Sequence, residues 1–411
     1  MIRTTIMDMR GGVCRFALMI ANAYNKSMRM VREAIENQEI YFDIVDKVTN
    51  KPKISEKTKR AYLRLPTDVT FMPKEMIKRI LHECKVKMSL RWNCDGMMFT
   101  IIGYTRPNKE EQCELMRTLL KQLVYAKMLS SFGKCNMRGR ELRSVFYDLD
   151  VPKVFPKQGE VIDMINVNSA FTTACSYGGD VIELYIYRRE ECDKVYIHEL
   201  IHAFSLDIDR EGDGYQMIDL ELAKMFGVDI RYKLEEAYTE FCARMIYNVF
   251  VGQKGLIPIK TKDQRTNLCE KFAKRMDKEI EWAINQIGTV CFLSGLDINL
   301  ERNAREPTLF TRSSNRGSNS YKEGTSVMSY YVIAGFFMIY YETMLEWMVN
   351  YNDDFIDFNT KHTNVHSFLE LVKQLSLNEH TCLLMLDAFD AAADSKGRVR
   401  SARMSYNRKI E

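Results

Sequence analysis

Apolar residues recur at helical spacing in residues 13–37, in 72–84, and from Lys109 to Ser130, where Leu115, Leu119, Leu120, Leu123 and Met128 form one stripe. Such stripes predict amphipathic helices. Between the last two, MSLRWNCDGMMFTIIGY is a pair of apolar-rich runs split by Asn93-Cys94-Asp95-Gly96, and Asp-Gly in that setting predicts a β-hairpin. Residues 142–150 read as a strand stopped by Val151-Pro152. Residues 161–175 and 180–188 read as two strands joined at Ser176-Tyr177-Gly178-Gly179. The stretch 189–207 follows as a helix carrying Val195, Ile197, Leu200, Ile201 and Phe204 on nearly every side, the pattern of a buried helix. A second helix is expected over 234–250, and three more over 264–293, 326–349 and 365–388. The polar stretch Asn299–Gly324 is expected to be a loop. The uncharged run Gly324–Tyr341 reaches membrane-spanning length only by counting two Gly, a Thr, two Ser and four Tyr, so it reads as a buried core helix and no membrane partner is expected.

The pattern predicts an α+β chain in three parts: an α/β region over 1–105, a core over 106–255 and a helical part over 256–411 ending in a basic tail. Composition changes this picture little. The 59 Lys+Arg and 55 Asp+Glu leave a formal charge of +4, which points to neither a nucleic-acid binder nor an enzyme for acidic substrates. The tail holds Lys396, Arg398, Arg400, Arg403, Arg408 and Lys409, and reads as solvated or docked, not as a nucleic-acid arm. The opening MIRTTIMDMRGGVCRF lacks an uninterrupted apolar run. The eleven cysteines are scattered with no CxxC pair, so reduced, buried thiols and an intracellular, unsecreted protein are expected. Histidines number only six, and two of them lie four residues apart.

Those two belong to His198-Glu199-Leu200-Ile201-His202, an HExxH motif. On a helix, residues four apart share a face, so both imidazoles can reach one metal ion, while Glu199 sits about 100° around the axis, where it can address a water there. Zinc binds neutral imidazoles and acidifies a bound water, whose proton a neighbouring carboxylate can take. Without a counter-ion, burying His, Glu and His together among aliphatic side chains would be costly. A catalytic zinc site usually has a third protein ligand. The HExxHxxGxxH pattern is excluded, because Ser205 and Ile208 occupy its Gly and His positions. Asp207, Asp209 and Asp213 lack the usual spacing, whereas Leu234-Glu235-Glu236-Ala237-Tyr238-Thr239-Glu240 offers glutamates on a later helix.

Here the chain resembles the gluzincins, the thermolysin-like zinc peptidases, whose second helix carries Asn-Glu-x-x-Ser-Asp. Aligned on Glu-Ala, the resemblance puts Glu236 on the metal ligand and Glu240 on the acidic residue that holds a ligand histidine in its tautomer. Glu235, Thr239 and Glu240 depart from the pattern, and three glutamates leave the choice of ligand open. The resemblance also implies that the strand before the HExxH helix is a sheet edge that binds substrate backbone, which would give that role to Val181, Ile182, Glu183, Leu184 and Tyr185; an interior strand is the alternative. Gluzincins commonly stabilise the oxyanion with a downstream Tyr or His. Tyr330 and Tyr331 are the candidates, followed by Tyr321, while the pair His362/His366 lacks an acidic residue between its members.

The runs NVNSAFT (166–172), EECDKVYIHELIHAFSLD (190–207), EEAYTEF (235–241) and SVMSYYV (326–332) are similar to uncharacterised, predicted zinc peptidases encoded by large DNA viruses of eukaryotes. The resemblances imply a zincin-like α+β fold with a small twisted sheet, an active-site helix and a mainly helical C-terminal half. They imply a zinc metallopeptidase acting on a peptide or protein substrate through Zn2+ and Glu199. The alternative is a catalytically silent, virion-associated zincin-fold protein that binds without turnover.

Overall fold

The computed structural model describes residues 2–45, 55–67, 70–133, 135–208, 214–253, 255–299, 308–312, 321–352, 355–359, 361–395 and 401–406, with the main chain alone for 2–10, 214–217 and 362. From the N-terminus come α1 (Ile2–Glu36), β1 (Tyr41–Val45), α2 (Glu56–Tyr62), α3 (Lys74–Glu83), β2 (Val86–Cys94), β3 (Met97–Thr105), α4 (Lys109–Ser130) and β4 (Glu141–Tyr147). The middle holds α5 (Met164–Val167), β5 (Ala170–Thr172), β6 (Val181–Ile186), α6 (Cys192–Ala203), α7 (Gly214–Phe226) and α8 (Leu234–Phe250). Then follow α9 (Lys262–Ser294), a ribbon of β7 (Leu296–Ile298) and β8 (Phe310–Arg312), and a π-helical turn Met328–Ile333. The last elements are α10 (Ala334–Ile339), α11 (Tyr341–Tyr351), α12 (His362–Ser376) and α13 (Glu379–Asp394). The class is α+β, as expected.

Strands β1 to β6 form one mixed sheet in the order β1-β2-β3-β4-β6-β5, with β3-β4 and β4-β6 parallel and the other pairs antiparallel. Asp95 and Gly96 both have positive φ, 54° and 80°, so the β2-β3 hairpin closes with the two-residue turn that its Asp-Gly predicts. Alternation then sorts side chains by face. Phe99, Ile101, Leu142, Phe146, Ile182, Leu184 and Ile186 point to the main core, shared with α4 and α6. Ile102, Tyr104, Val145, Tyr147, Tyr185 and Tyr187 point to a smaller core under α3, with Ile77 and Ile80. Gly103 lets α4 settle close to the sheet, since a Cβ there would sit 2.7 Å from Leu115. The main core takes side chains from all three expected segments.

Helix α6, which carries the HExxH motif, lies between the sheet, α4 and α8. Its Ile197, Leu200 and Ile201 are wholly buried, as is Phe204 just beyond it, each contributing roughly 1.5–3 kcal/mol of apolar burial. Tyr196 ties it to the sheet through a 2.9 Å hydrogen bond with Ser144 of β4.

Several expectations are corrected. The predicted strand 161–175 is broken, because Asp163 and Asn166 form a capping box that starts α5, and only Ala170–Thr172 is extended. Val181–Ile186 is not the sheet edge: β5 covers it from outside, pairing Ala170 with Ile186 and Thr172 with Leu184. Within the expected loop 299–324, residues 310–312 form β8 instead, paired with β7; most of the rest lies outside the described residues. The helix expected over 365–388 is two, since the Asn378 side chain caps a fresh start at α13. Four cysteines are paired, Cys14–Cys269 between α1 and α9 and Cys135–Cys175 beside α6, in place of the expected set of reduced thiols. Among the described residues no single helix is long and apolar enough to cross a membrane, and the run around 328–348 is mostly buried core. Of the tail, residues 401–406 are docked, with Ala402, Met404 and Ser405 buried; Lys396, Arg398, Arg400, Arg408 and Lys409 lie outside the described residues.

Candidate metal centre

The helical spacing of His198 and His202 aims both imidazoles at α8, where Glu236 meets them. The three side chains form a group able to hold a metal ion. His198 Nε2 and His202 Nε2 lie 3.2 Å apart, and Glu236 Oε2 is 3.3 Å from the first and 3.1 Å from the second. A tetrahedral ion with bonds of 2.0–2.1 Å has ligand atoms separated by about 3.3–3.4 Å, so this triangle has the size of one face of such a tetrahedron.

Each imidazole is held from its other nitrogen. His198 Nδ1 lies 3.2 Å from Glu240 Oε2, one helical turn beyond Glu236 on α8. His202 Nδ1 lies 2.5 Å from Asp207 Oδ2. With Nδ1–H donated to a carboxylate, each Nε2 presents a lone pair to the centre of the triangle. Two lone pairs and a carboxylate oxygen within 3.3 Å repel one another unless a cation or shared protons lie between them. The donor set therefore fits a divalent metal ion.

Local backbone explains why Asp207 is there. Helix α6 ends in a Schellman turn: Leu206 N–H donates to Ile201 C=O and Ser205 N–H to His202 C=O, with Ser205 in the left-handed region at φ 50°. The chain doubles back immediately after His202 and returns Asp207 to it. Asp207, whose spacing argues against a ligand role, lies instead behind the His202 imidazole. Asp209 and Asp213 lie outside the described residues.

Charge states follow from burial and partners. Burial works against a charged His202, but Asp207 and Glu236 outweigh it and hold its pKa well above the ordinary imidazole value. His198 is raised in the same way by Glu236 and Glu240 against burial. Burial pushes Glu199 up, offset in part by the two imidazoles. Glu236 is held well below the carboxylate range, because the imidazoles overcome its burial. A metal ion entering this site would displace protons from the imidazoles.

His198, Glu199, Glu240 and Tyr330 line one cleft together with Lys153, Val167, Asn168, Ser169, Ala170, Lys194, Val195 and Met404. Tyr330 and Tyr331 are neighbours on the helical turn Met328–Ile333 and so point in different directions. Tyr330 faces the centre, its ring 6.0 Å from that of His198 and its side chain hydrogen-bonded to Glu236; burial and the nearby Glu236 and Glu199 raise its hydroxyl pKa, keeping it a donor. Tyr331 turns the other way, donates a 2.6 Å hydrogen bond to Ala402 C=O and packs on Phe155, so it is withdrawn as a catalytic candidate. Tyr321 donates to Glu323 and is absent from the cleft. His366 is exposed on α12, and the His362 side chain lies outside the described residues.

The edge beside the cleft is β5. Ser169 C=O and Thr173 N–H bond to β6, and the alternation of an antiparallel pair directs the main-chain groups of Ala170 and Thr172 to the outer side. Residues 181–185 lie one strand further in, with Ile182 and Leu184 facing the main core. Lys153, Glu191 and Lys194, none of them singled out from sequence, stand behind Glu240 with the docked C-terminal segment. The i, i+4 relation of Lys194 to His198 is the one signal in the sequence that points to them. Comparisons of the chain with family models, curated proteins and solved structures found no match.

Proposed function

We propose that the protein is a zinc-dependent peptidase of the zincin type, in keeping with its resemblance to the gluzincins. The observation that carries this reading is the His198–His202–Glu236 triangle, backed by one carboxylate per imidazole, with His198 lining the same cleft as Glu199. Zinc bound there supplies Lewis acidity toward a carbonyl oxygen and a water. Glu199, kept proton-hungry by burial, takes the proton of the attacking water and passes it to the leaving amine. The Tyr330 hydroxyl donates to the oxyanion as it develops. Glu240 and Asp207 hold the imidazole rings in orientation. Substrate backbone pairs with the open side of β5 at Ala170, extending the sheet by one strand.

The test compares wild type and Glu199→Gln in metal content and in cleavage of a fluorogenic peptide library. One zinc per chain in both, with hydrolysis reduced by a factor of about 10³ or more in the variant, is the expected outcome. Equal cleavage by the two would sink the assignment. A chain that holds zinc yet cleaves no member of the library would fit the silent, binding reading instead.

A further inference from the structure

Behind the metal-facing side of His198 lies a chain of fully buried ionic contacts that peptide hydrolysis does not itself use. Lys194 and Glu240 have side chains 1% and 0% exposed. Lys194 Nζ donates to both oxygens of Glu240, at 2.9 Å to Oε1 and 2.8 Å to Oε2, and Oε2 is the oxygen facing His198 Nδ1. Lys194 precedes His198 by four residues, so one face of α6 presents both the imidazole and the ammonium to a single carboxylate.

The ammonium is seated from the far side by the C-terminal segment. Met404 Sδ lies 3.7 Å from Lys194 Nζ. The neighbouring Glu191 heads α6 in a left-handed conformation, φ 58°, and its carboxylate accepts from Lys153 Nζ, from the Met404 and Ser405 amides, and from Ser405 Oγ. The segment itself is anchored to α9 by Trp282 and Gln286, which donate to the carbonyls of Ser401 and Arg403. Residues more than two hundred positions apart thus meet at the start of the active-site helix.

A buried Lys–Glu pair serving packing alone could be exchanged for apolar residues at little cost. Glu240 is not free to be exchanged, because it also holds a ring. A carboxylate bound through one oxygen can rotate about its terminal bond, whereas one gripped at both oxygens has its plane set. We infer that Lys194 is a positioning residue of the metal centre: it aligns Glu240 on His198 Nδ1, and the C-terminal segment 401–406 keeps Lys194 in place. The inference rests on the metal reading proposed above.

The experiment uses the full chain. Zinc affinity is measured by competition with a chromophoric chelator, and the visible spectrum is recorded with cobalt in place of zinc. Lys194→Met is expected to bind zinc about 10–100-fold more weakly than wild type and to shift the cobalt bands, since the ring held by Glu240 loses its orientation. Zinc binding and a cobalt spectrum unchanged in Lys194→Met overturn the inference, even if the thermal midpoint falls, and leave the metal reading intact. A wild-type chain that takes up no zinc overturns both. Should Lys194→Met not fold, Lys194→Gln, one atom shorter and uncharged, takes its place: weaker zinc binding with shifted cobalt bands supports the inference, and no change in either overturns it.

Discussion

The two imidazoles of one helix are supported in opposite ways. His202 is held by Asp207, five residues on, through a turn built entirely from neighbouring backbone. His198 is held by Glu240 from another helix, which depends on Lys194, which touches a segment near the C-terminus. Asp207 keeps 13% of its side-chain exposure, whereas Glu240 has none. The first arrangement is cheap to form and open to solvent; the second is costly to desolvate and depends on the whole fold. One motif thus spans a local and a global dependence within a single helical turn.

The sharpest way to break the comparison is Glu240→Ala. It leaves the Lys194 ammonium buried without its partner, and denaturant unfolding should register a loss of about 3–5 kcal/mol, together with weakened zinc binding. A loss no larger than that of an exposed substitution would mean the His198 side is no more fold-dependent than the other. Asp207→Asn should cost zinc affinity by about 10–100-fold with a smaller loss of stability, because the amide is partly solvated. Its stability effect should also depend on pH. In the metal-free chain the raised pKa of His202 means that the folded state holds a proton the unfolded state releases. That stabilisation is full below about pH 6.5 and is lost as pH rises through the raised folded value. The deficit of Asp207→Asn, followed by thermal unfolding in chelator, should therefore be largest at low pH and shrink as pH rises. A deficit that grows with pH would contradict the assigned role of Asp207. The smallest effect is expected from Ser205→Gly, which relieves a left-handed non-glycine residue at the end of α6. It should leave zinc binding unchanged and alter stability by about 1 kcal/mol or less in the favourable direction.

Much of this local layer is legible in residue order. HExxH specifies which two imidazoles share a face, because helical periodicity is a property of the chain alone. The Asp-Gly hairpin, the buried character of α6 and the length of α9 follow from turn chemistry and periodicity in the same way. Glu236 in the triangle and Glu240 behind it match the alignment on Glu-Ala. Placing the sheet edge at 181–185 fails, because edge position depends on which strand pairs last, and the three-residue β5 that does so is too short to leave a periodic signal. Nor does periodicity say which of the neighbours Tyr330 and Tyr331 faces the His198 ring and which faces Ala402, since that is set by packing.

Residue order alone determined the HExxH helix, with Glu199 next to its first histidine, and the hairpin at Asp95-Gly96, each of which rests on contacts within a few residues. The tertiary structure decided which glutamate faces the imidazoles, which strand is open, which tyrosine reaches the cleft and that the C-terminal segment stands behind Lys194. Each of these depends on how elements far apart in the chain cross and desolvate one another, and no local periodicity encodes that.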